Sequence, residues 1–219
     1  MSRKFEQLDT LKTRKQLEEI AVKITDDFER EKSVLANAFG IKGMGKDHLL
    51  ALVADDLDSK LIQHLPIINI PESPTATEVL EASKHIAEWI YSVILKPKEK
   101  IARDMDELEN DYFNIRGKLN EKKDKPRFAI LVNDIDNLPF DDLDWFQSVV
   151  LEALISSPGS MVVVTSQNEL NWHSWEMRSK CVPVELPLFS PNEILALCES
   201  KPLRSEERRV GKECRSRWS

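Results

Sequence analysis

The feature that most constrains this chain is the stretch GIKGMGKD at residues 40–47. The chain has six glycines, and three of them lie in these eight positions. An apolar run, SVLANAFGI (33–41), leads into the stretch, and a segment of helical periodicity (46–62) follows it. Because glycine adopts backbone conformations that other residues avoid, the sequence predicts a strand, a tight loop and a helix in succession.

The same stretch follows the pattern G-x-x-x-x-G-K-[ST] of phosphate-binding loops up to its last position, where Asp47 replaces the hydroxyl residue. Such a loop aims backbone N–H groups at one point, and the helix after it adds the positive end of its dipole. Lys46 would reach the outer phosphates of a nucleotide. The alternative is a glycine-rich turn that only precedes a helix. The residues predicted to bind nucleotide in this loop are Gly40, Lys42, Gly43, Met44, Gly45, Lys46, Asp47 and His48.

A second polar cluster follows a predicted buried strand in AILVNDIDNLP (129–139). Ligands of open α/β sheets bind at the carboxyl ends of the strands. We therefore expect Asp134 or Asp136 to face the loop, where one acid holds Mg²⁺ and a neighbouring acid polarises the attacking water. Acids that merely cap a loop are the alternative.

A third segment, GSMVVVTSQNEL (159–170), predicts another buried strand with a polar end. In the same architecture this end places Thr165 and Gln167 beside the γ-phosphate. The alternative is a buried strand that simply runs into a polar turn.

Apolar strands alternate with helices along the chain. Strands that are apolar throughout belong to parallel sheets covered on both faces. The sequence therefore predicts an α/β fold with three αβα layers and a central parallel sheet of about five strands. The predicted strands are 33–41, 64–70, 127–134, 161–167 and 181–186, and the predicted helices are 5–30, 46–62, 75–95, 97–122, 144–156 and 190–200.

In this order and spacing, the three motifs resemble the STAND branch of the AAA+-like P-loop NTPases, which contains the NB-ARC and NACHT modules. The run VPVELPLFSPNEILALC (182–198) is similar to their short strand, L-x-L-x-x-L-S segment and helix. The resemblance covers roughly residues 30–200. It implies an ATP- and Mg²⁺-dependent switch in a larger signalling or surveillance protein, which forms homo-oligomers on activation.

The chain departs from that family at three positions. Asp47 replaces the Ser or Thr that ligates magnesium, Asn133 stands where the first acid after the strand is expected, and Gln167 replaces an arginine that reads the γ-phosphate. Since Asp47 and Asn133 exchange a carboxylate and a neutral ligand, we hypothesise that this swapped pair keeps the metal. Asp134 is then a further metal ligand and the catalytic, water-polarising group. The alternative is decay, because an extra anion beside the triphosphate repels it.

The charged segment 96–125 carries a narrow apolar stripe with spacings of four and three. Such a stripe resembles a coiled-coil seam. Two interpretations stay open for the helix predicted at 97–122, namely packing on its own domain and binding a protein partner. The stripe consists of Ile101, Met105, Leu108, Tyr112, Ile115 and Leu119.

Composition indicates a globular chain outside the membrane. It has 219 residues, of which 41% are hydrophobic and 32% charged. The longest apolar runs are too short to span a bilayer, and the N-terminus lacks the apolar core of a secretory signal. Three cysteines have neither metal nor disulfide spacing. We expect a cytoplasmic protein.

The segment RSEERRVGKECRSRWS (204–219) matches the in-frame translation of a common sequencing-library adapter at all sixteen positions. The segment contains six Lys and Arg and three Asp and Glu, which give it a charge of +3. Because the whole chain has a net charge of −7, residues 1–203 have a net charge of −10. We therefore expect a non-native tail at 204–219, a P-loop domain at 31–203 that is incomplete at its carboxyl end, and a helical lead-in at 1–30.

The sequence thus predicts an ATP-binding, nucleotide-controlled switch, and it leaves open whether hydrolysis survives the three departures. Two alternatives belong to other classes. One is a nucleotide-free scaffold for protein interaction, and the other is a DNA-associated AAA+ ATPase of origin-recognition type. Because residues 1–203 are acidic, we expect this domain not to contact nucleic acid.

Overall fold

The structure is a computed structural model that describes residues 12–30, 33–98, 102, 104–122, 124 and 126–193. The expected tail at 204–219 and most of the helix predicted at 190–200 lie outside the described residues. The chain divides into two compact units, residues 18–186 and residues 1–17 with 187–219. The boundaries predicted at 30 and 203 stay a prediction.

The larger unit is built on a parallel sheet. Its order is β2-β4-β5-β1-β6, β3 also pairs with β4, and every pairing is parallel. Since β2 and β3 share the place beside β4, the sheet has about five strand positions, and the predicted α/β fold is confirmed. The strands are β1 (Val34–Phe39), β2 (Gln63–His64), β3 (Ile68–Asn69), β4 (Phe128–Asn133), β5 (Ser160–Ser166) and β6 (Cys181–Glu185).

The strand predicted at 64–70 forms the two short strands β2 and β3 instead. Both pair with β4, and the flanking Leu65 and Ile70 donate their N–H groups to Ala129 and Asn133 of that strand at 3.1 Å each. Pro66 lies between the two strands and has no N–H to continue the ladder. The predicted pairing is therefore present but interrupted.

Helices flank this sheet. Thr75 caps the helix that begins at Ala76 in a reciprocal capping box with Glu78. The short helix α6 was not predicted, and Ser174 begins it by accepting the N–H of Met177 at 3.1 Å. No described helix has the length and apolarity needed to cross a membrane. The helices are α1 (Lys12–Arg30), α2 (Lys46–Ser59), α3 (Ala76–Trp89, continued by a π-helical turn at Ile90–Ile94), α4 (Met105–Glu121), α5 (Phe140–Trp145, continued by π-helical Phe146–Leu151 and by Glu152–Ile155) and α6 (Trp175–Lys180).

The apolar stripe of the charged segment faces the core of its own domain. The helix begins at Met105, where Asp104 caps it, rather than at 97. The hydroxyl of Tyr112 donates to the backbone oxygen of Ser83 of α3 at 2.7 Å. The partner-binding interpretation is therefore wrong for the stripe itself, because its described members from the second turn onward are buried, namely Leu108, Tyr112, Ile115 and Leu119.

Asn37 is a buried polar residue in the central strand β1. Its Nδ2 donates to Ser166 Oγ at 2.8 Å, and its Oδ1 accepts the N–H of Leu170 at 2.9 Å. These bonds tie β1 to the end of β5 and to the loop after it. Because the amide of Asn37 is itself buried and needs both partners, this pair of bonds holds the ends of the two strands together.

We expect Asn37→Ala to lower the free energy of unfolding by about 1–3 kcal/mol, since Ser166 Oγ and the N–H of Leu170 each lose one hydrogen bond to this side chain. Urea unfolding of the full chain measures this. Asn114→Ala, at an exposed position of α4, is the matched control, with an expected change within about 0.5 kcal/mol. Equal effects of the two substitutions would contradict the account of β1.

Candidate functional site

The loop between β1 and α2 turns back on itself through glycines that have positive φ. Gly43 has φ 91° and Gly45 has φ 83°, which are conformations that other residues rarely adopt. Gly40 donates its N–H to the backbone oxygen of Ser166 at 3.1 Å, so the start of the loop is attached to β5. A Cβ at Gly40 would lie 2.9 Å from the sulfur of Met44, whose side chain is buried beneath the loop.

The loop leads directly into the N-terminus of α2. Gly45 occupies the capping position, and its oxygen accepts the first helical N–H, from Leu49, at 2.9 Å. No side chain caps this end of α2. The first N–H groups of a helix have no intrahelical acceptor, so they are available to an anion lying in the loop.

Lys46 places its amine between the loop and the end of β4. Its Nζ donates to the oxygen of Gly40 at 3.1 Å and lies 3.2 Å from Asp134 Oδ1. The Lys46 side chain is 7% exposed, whereas that of Asp134 is 34% exposed. The lysine is therefore held at the carboxyl edge of the sheet by one carbonyl and one carboxylate.

Asp47 and Asn133, two of the positions that depart from the motif, are in direct contact. Asn133 Nδ2 donates to Asp47 Oδ1 at 2.6 Å and to Asn69 Oδ1 at 3.1 Å. On the other side of the amide, Asn133 Oδ1 accepts the hydroxyl of Thr165 at 2.6 Å. The side chain of Asn133 is buried, and that of Thr165 is fully buried. One amide thus joins the first turn of α2 to the ends of β3 and β5.

Asp134 is the first residue after β4, and its backbone belongs to the same network. Its φ of 52° and ψ of 48° place it in the left-handed region, which is uncommon for a residue other than glycine. Its N–H donates to Thr165 Oγ1 at 2.9 Å. This bond and the Lys46 contact hold a strained turn at the sheet edge, where strain commonly marks a functional site.

Asp136 adds a second acid at this edge. Its Oδ2 accepts the backbone N–H of Gln167 at 2.8 Å, while its Oδ1 is buried and has no hydrogen-bond partner within the described structure. The Gln167 side chain is exposed. Gln167 therefore contributes to the site through its backbone, whereas the sequence predicts a role for its side chain.

Two predicted residues lie at the rim of the loop. The exposed Lys42 pairs with Glu72 in the turn after β3. The hydrogen bond and charge of Glu72 raise the pKa of Lys42, and the same contact lowers the pKa of Glu72. His48 lies in the first turn of α2 with an exposed side chain.

Hard oxygen ligands are what Mg²⁺ prefers, and Asp47, Asn133 and Asp134 carry such oxygens within one network. Within the described ranges, no group of three His, Cys, Asp or Glu side chains is arranged to bind a metal. The Asn133 amide donates to Asp47 and to Asn69, so its oxygen would join the donor set only after the amide turns over. With the amide turned over, the oxygens of Asp47, Asn133 and Asp134 fit Mg²⁺.

Sequence reasoning missed several members of this network. Asn69 is the second-last residue of the apolar stretch HLPIINI (64–70), and Glu72 follows this stretch. The register Asn69↔Asn133 and Phe39↔Ser166 shows how parallel pairing collects such ends at one edge. A polar residue that ends a predicted parallel strand was the signal that identified Asn133 and Thr165, and it applies equally to Asn69.

The fold is similar to solved structures of the Drosophila ORC. No protein-family model and no curated protein matches the sequence. A chain of Drosophila ORC bound to AT-rich DNA and Cdc6 gives a TM-score of 0.56 at 15% identity, with 96% of this chain and 66% of that chain covered. The complex with GC-rich DNA and Cdc6 gives 0.57 at 13%, with 93% and 64% covered. Drosophila ORC bound to DNA gives 0.57 at 12%, with 89% and 47% covered.

This likeness is one of fold, a parallel α/β sheet flanked by helices, and the AAA+-like P-loop assignment stays a prediction. The chain spans less than two thirds of the length of the ORC chains it matches. At 12–15% identity the likeness shows the fold and nothing finer. The STAND assignment stays a prediction.

The expectation that this domain does not contact nucleic acid is wrong as an inference from charge. The similar structures are ORC complexes bound to DNA, so the fold occurs in DNA-bound assemblies. The physical reason is that net charge sums over a whole surface, whereas phosphate contacts need a local group of donors or basic residues. An acidic total therefore does not exclude such contacts.

We expect Thr165→Val to lower the free energy of unfolding by about 1–3 kcal/mol, since the Asp134 N–H and the Asn133 oxygen both lose a buried partner. Chemical denaturation of the nucleotide-free chain measures the loss. Thr77→Val, the same replacement at an exposed position of α3, should change stability by no more than about 0.5 kcal/mol. If Thr165→Val is as harmless as this control, the network around Asn133 is not formed.

Proposed function

We propose that the chain is a nucleoside-triphosphate-binding module that acts as a nucleotide-controlled switch in a larger protein. One observation carries this proposal: the buried amine of Lys46 lies between Gly40 O and Asp134 Oδ1, where the glycine loop, α2 and β4 meet. A phosphate group in the loop would find the α2 N-terminus and this amine on the same side. ATP is the nucleotide that the family resemblance implies.

Electrostatics make a divalent cation part of the proposal. Two lysines, Lys42 and Lys46, share the loop and its rim with four carboxylates. A triphosphate brought into this excess of negative charge is repelled unless a cation lies between the charges. Mg²⁺ supplies that charge when bound, and we assign Asp47, Asn133 and Asp134 to hold it. The four carboxylates belong to Asp47, Glu72, Asp134 and Asp136.

Asp134 is the proposed water-polarising group if the module also hydrolyses its nucleotide. Its carboxylate lies beside Lys46 at the edge of the sheet, and about a third of its side chain is exposed. A phosphate that draws the Lys46 amine away would release this carboxylate to act on a water. Thr165 and Gln167, at the end of β5, are proposed to lie beside the γ-phosphate.

A second candidate is a DNA-associated AAA+ ATPase of origin-recognition type. The observation that favours it is the fold likeness to ORC chains in complexes with DNA. It uses the same nucleotide site and differs in the output of the switch. A DNA-binding measurement on a longer chain, with and without ATP, separates it from a signalling switch.

We expect Lys46→Ala to weaken binding of fluorescently labelled ATP, measured in MgCl2, at least tenfold, because the buried amine is the cation aimed into the loop. Lys84→Ala on α3 removes a lysine that pairs with Glu81, away from the loop, and should leave the affinity within about twofold. Absence of nucleotide binding by the unmodified chain would contradict the proposed function and favour the nucleotide-free scaffold.

Asp47→Thr separates a retained metal site from a decayed one. If Asp47 holds Mg²⁺, restoring the hydroxyl residue alone leaves two neutral ligands at the pair, and ATP affinity in MgCl2 should stay the same or fall. If Asp47 only repels the triphosphate, the same change should raise affinity about tenfold or more. Titration of labelled ATP in MgCl2 and in EDTA distinguishes the two, and an increase in affinity would overturn our assignment of Asp47.

A further inference from the structure

The orientation of the Asn133 amide is fixed by the chemistry of its neighbours. The ionised carboxylate of Asp47 can only accept hydrogen bonds, so the amide group 2.6 Å from it must be the NH2 group. On the other side, Thr165 Oγ1 already accepts the N–H of Asp134, which leaves its own proton for Asn133 Oδ1. Every described polar contact of this amide is thereby satisfied.

The opposite orientation is satisfied on one side alone. If the amide turns over, its NH2 group faces Thr165 Oγ1, which has a second lone pair and can accept. Its oxygen then faces the carboxylate of Asp47, and two oxygens at such a distance repel each other unless a cation lies between them. A divalent cation at Asp47 is therefore what makes the turned orientation favourable.

We propose that Asn133 is a latch with two orientations, in which its NH2 group takes the place of the divalent cation at Asp47 until Mg²⁺ and nucleotide arrive. This inference rests on the proposed function. In the closed orientation, the amide holds the first turn of α2 to β3 and β5 without a metal. In the turned orientation, Asn133 gives up Asn69, and Thr165 Oγ1, which already accepts the N–H of Asp134, accepts a second hydrogen bond from Asn133 in place of the one it donates. The occupancy of the metal site is thereby transmitted to two neighbouring strand ends.

The closed orientation is tested by exchanging the two side chains in the nucleotide-free chain in EDTA. Asn133→Asp sets a carboxylate against Asp47 and should lower Tm by about 2–4 °C. Asp47→Asn keeps an amide–amide bond and should shift Tm by about 1 °C or less. The double variant D47N/N133D remakes the contact with the partners reversed and should return Tm to within about 1 °C of the unmodified chain. A double variant as unstable as Asn133→Asp overturns the latch.

The exchange with the cation has its own readout without nucleotide. MgCl2 should raise the Tm of Asn133→Asp more than that of the unmodified chain, since two facing carboxylates attract the ion while the amide of the unmodified chain excludes it. Equal responses to MgCl2 in the two chains would contradict the proposal.

The turn itself is observed on the side-chain NH2 signal of Asn133 in a ¹⁵N-labelled chain, identified by its loss in Asn133→Asp. We expect the chemical shift of this signal to change when Mg²⁺ and ATP saturate the site. The ³¹P signals of the nucleotide show independently that the site is saturated. If ATP saturates the site and the Asn133 signal does not change, the latch is wrong, whereas the proposed nucleotide site is supported. If ATP does not bind, the proposed function fails and the latch fails with it, and the two stability experiments then report only on the contact between Asn133 and Asp47.

Discussion

The buried amine of Lys46 is the contact on which the rest of the site depends. It joins the first residue of the glycine loop to the first residue after β4, and this is possible because parallel strands end at one edge of the sheet. The left-handed glycines, the attachment of Gly40 to β5 and the buried Asn37 all keep that edge in one arrangement. Burying a charged amine to this degree is costly unless the amine is paired and hydrogen-bonded. A phosphate would replace one partner with another of the same charge.

The exchange of residue types at Asp47 and Asn133 gives this site its particular character. The carboxylate lies on the helix and the amide on the strand, and the two are hydrogen-bonded to each other. An amide can satisfy a carboxylate with its N–H groups and a cation with its oxygen. The pair is therefore suited to a site that is stable without a metal and still able to bind one, which a pair of carboxylates is not.

Much of the architecture follows from local patterns in the sequence. The apolar strands and the glycine loop predict the layers and the edge at which polar residues collect, because burial on both faces leaves a plain apolar signature. The backbone role of Gln167 was not predictable, since it depends on which strand ends are neighbours and in what register. The interruption at Pro66 and the place of Asn69 do leave a signal in the sequence, namely a proline inside a predicted strand and a polar residue near its end. The expectation about nucleic acid was wrong because it used the total charge of the domain, whereas contacts with phosphates depend on how charge is distributed locally.

A crystal structure of the unmodified chain grown with Mg²⁺ and a non-hydrolysable ATP analogue tests the central claim most directly. The account predicts the analogue's phosphates in the loop at 40–47, with the Lys46 amine moved from Asp134 to a phosphate oxygen and Asp47 bound to the ion. The account is contradicted if the analogue occupies another place, or if it is absent from fully soaked crystals while Lys46 stays on Asp134.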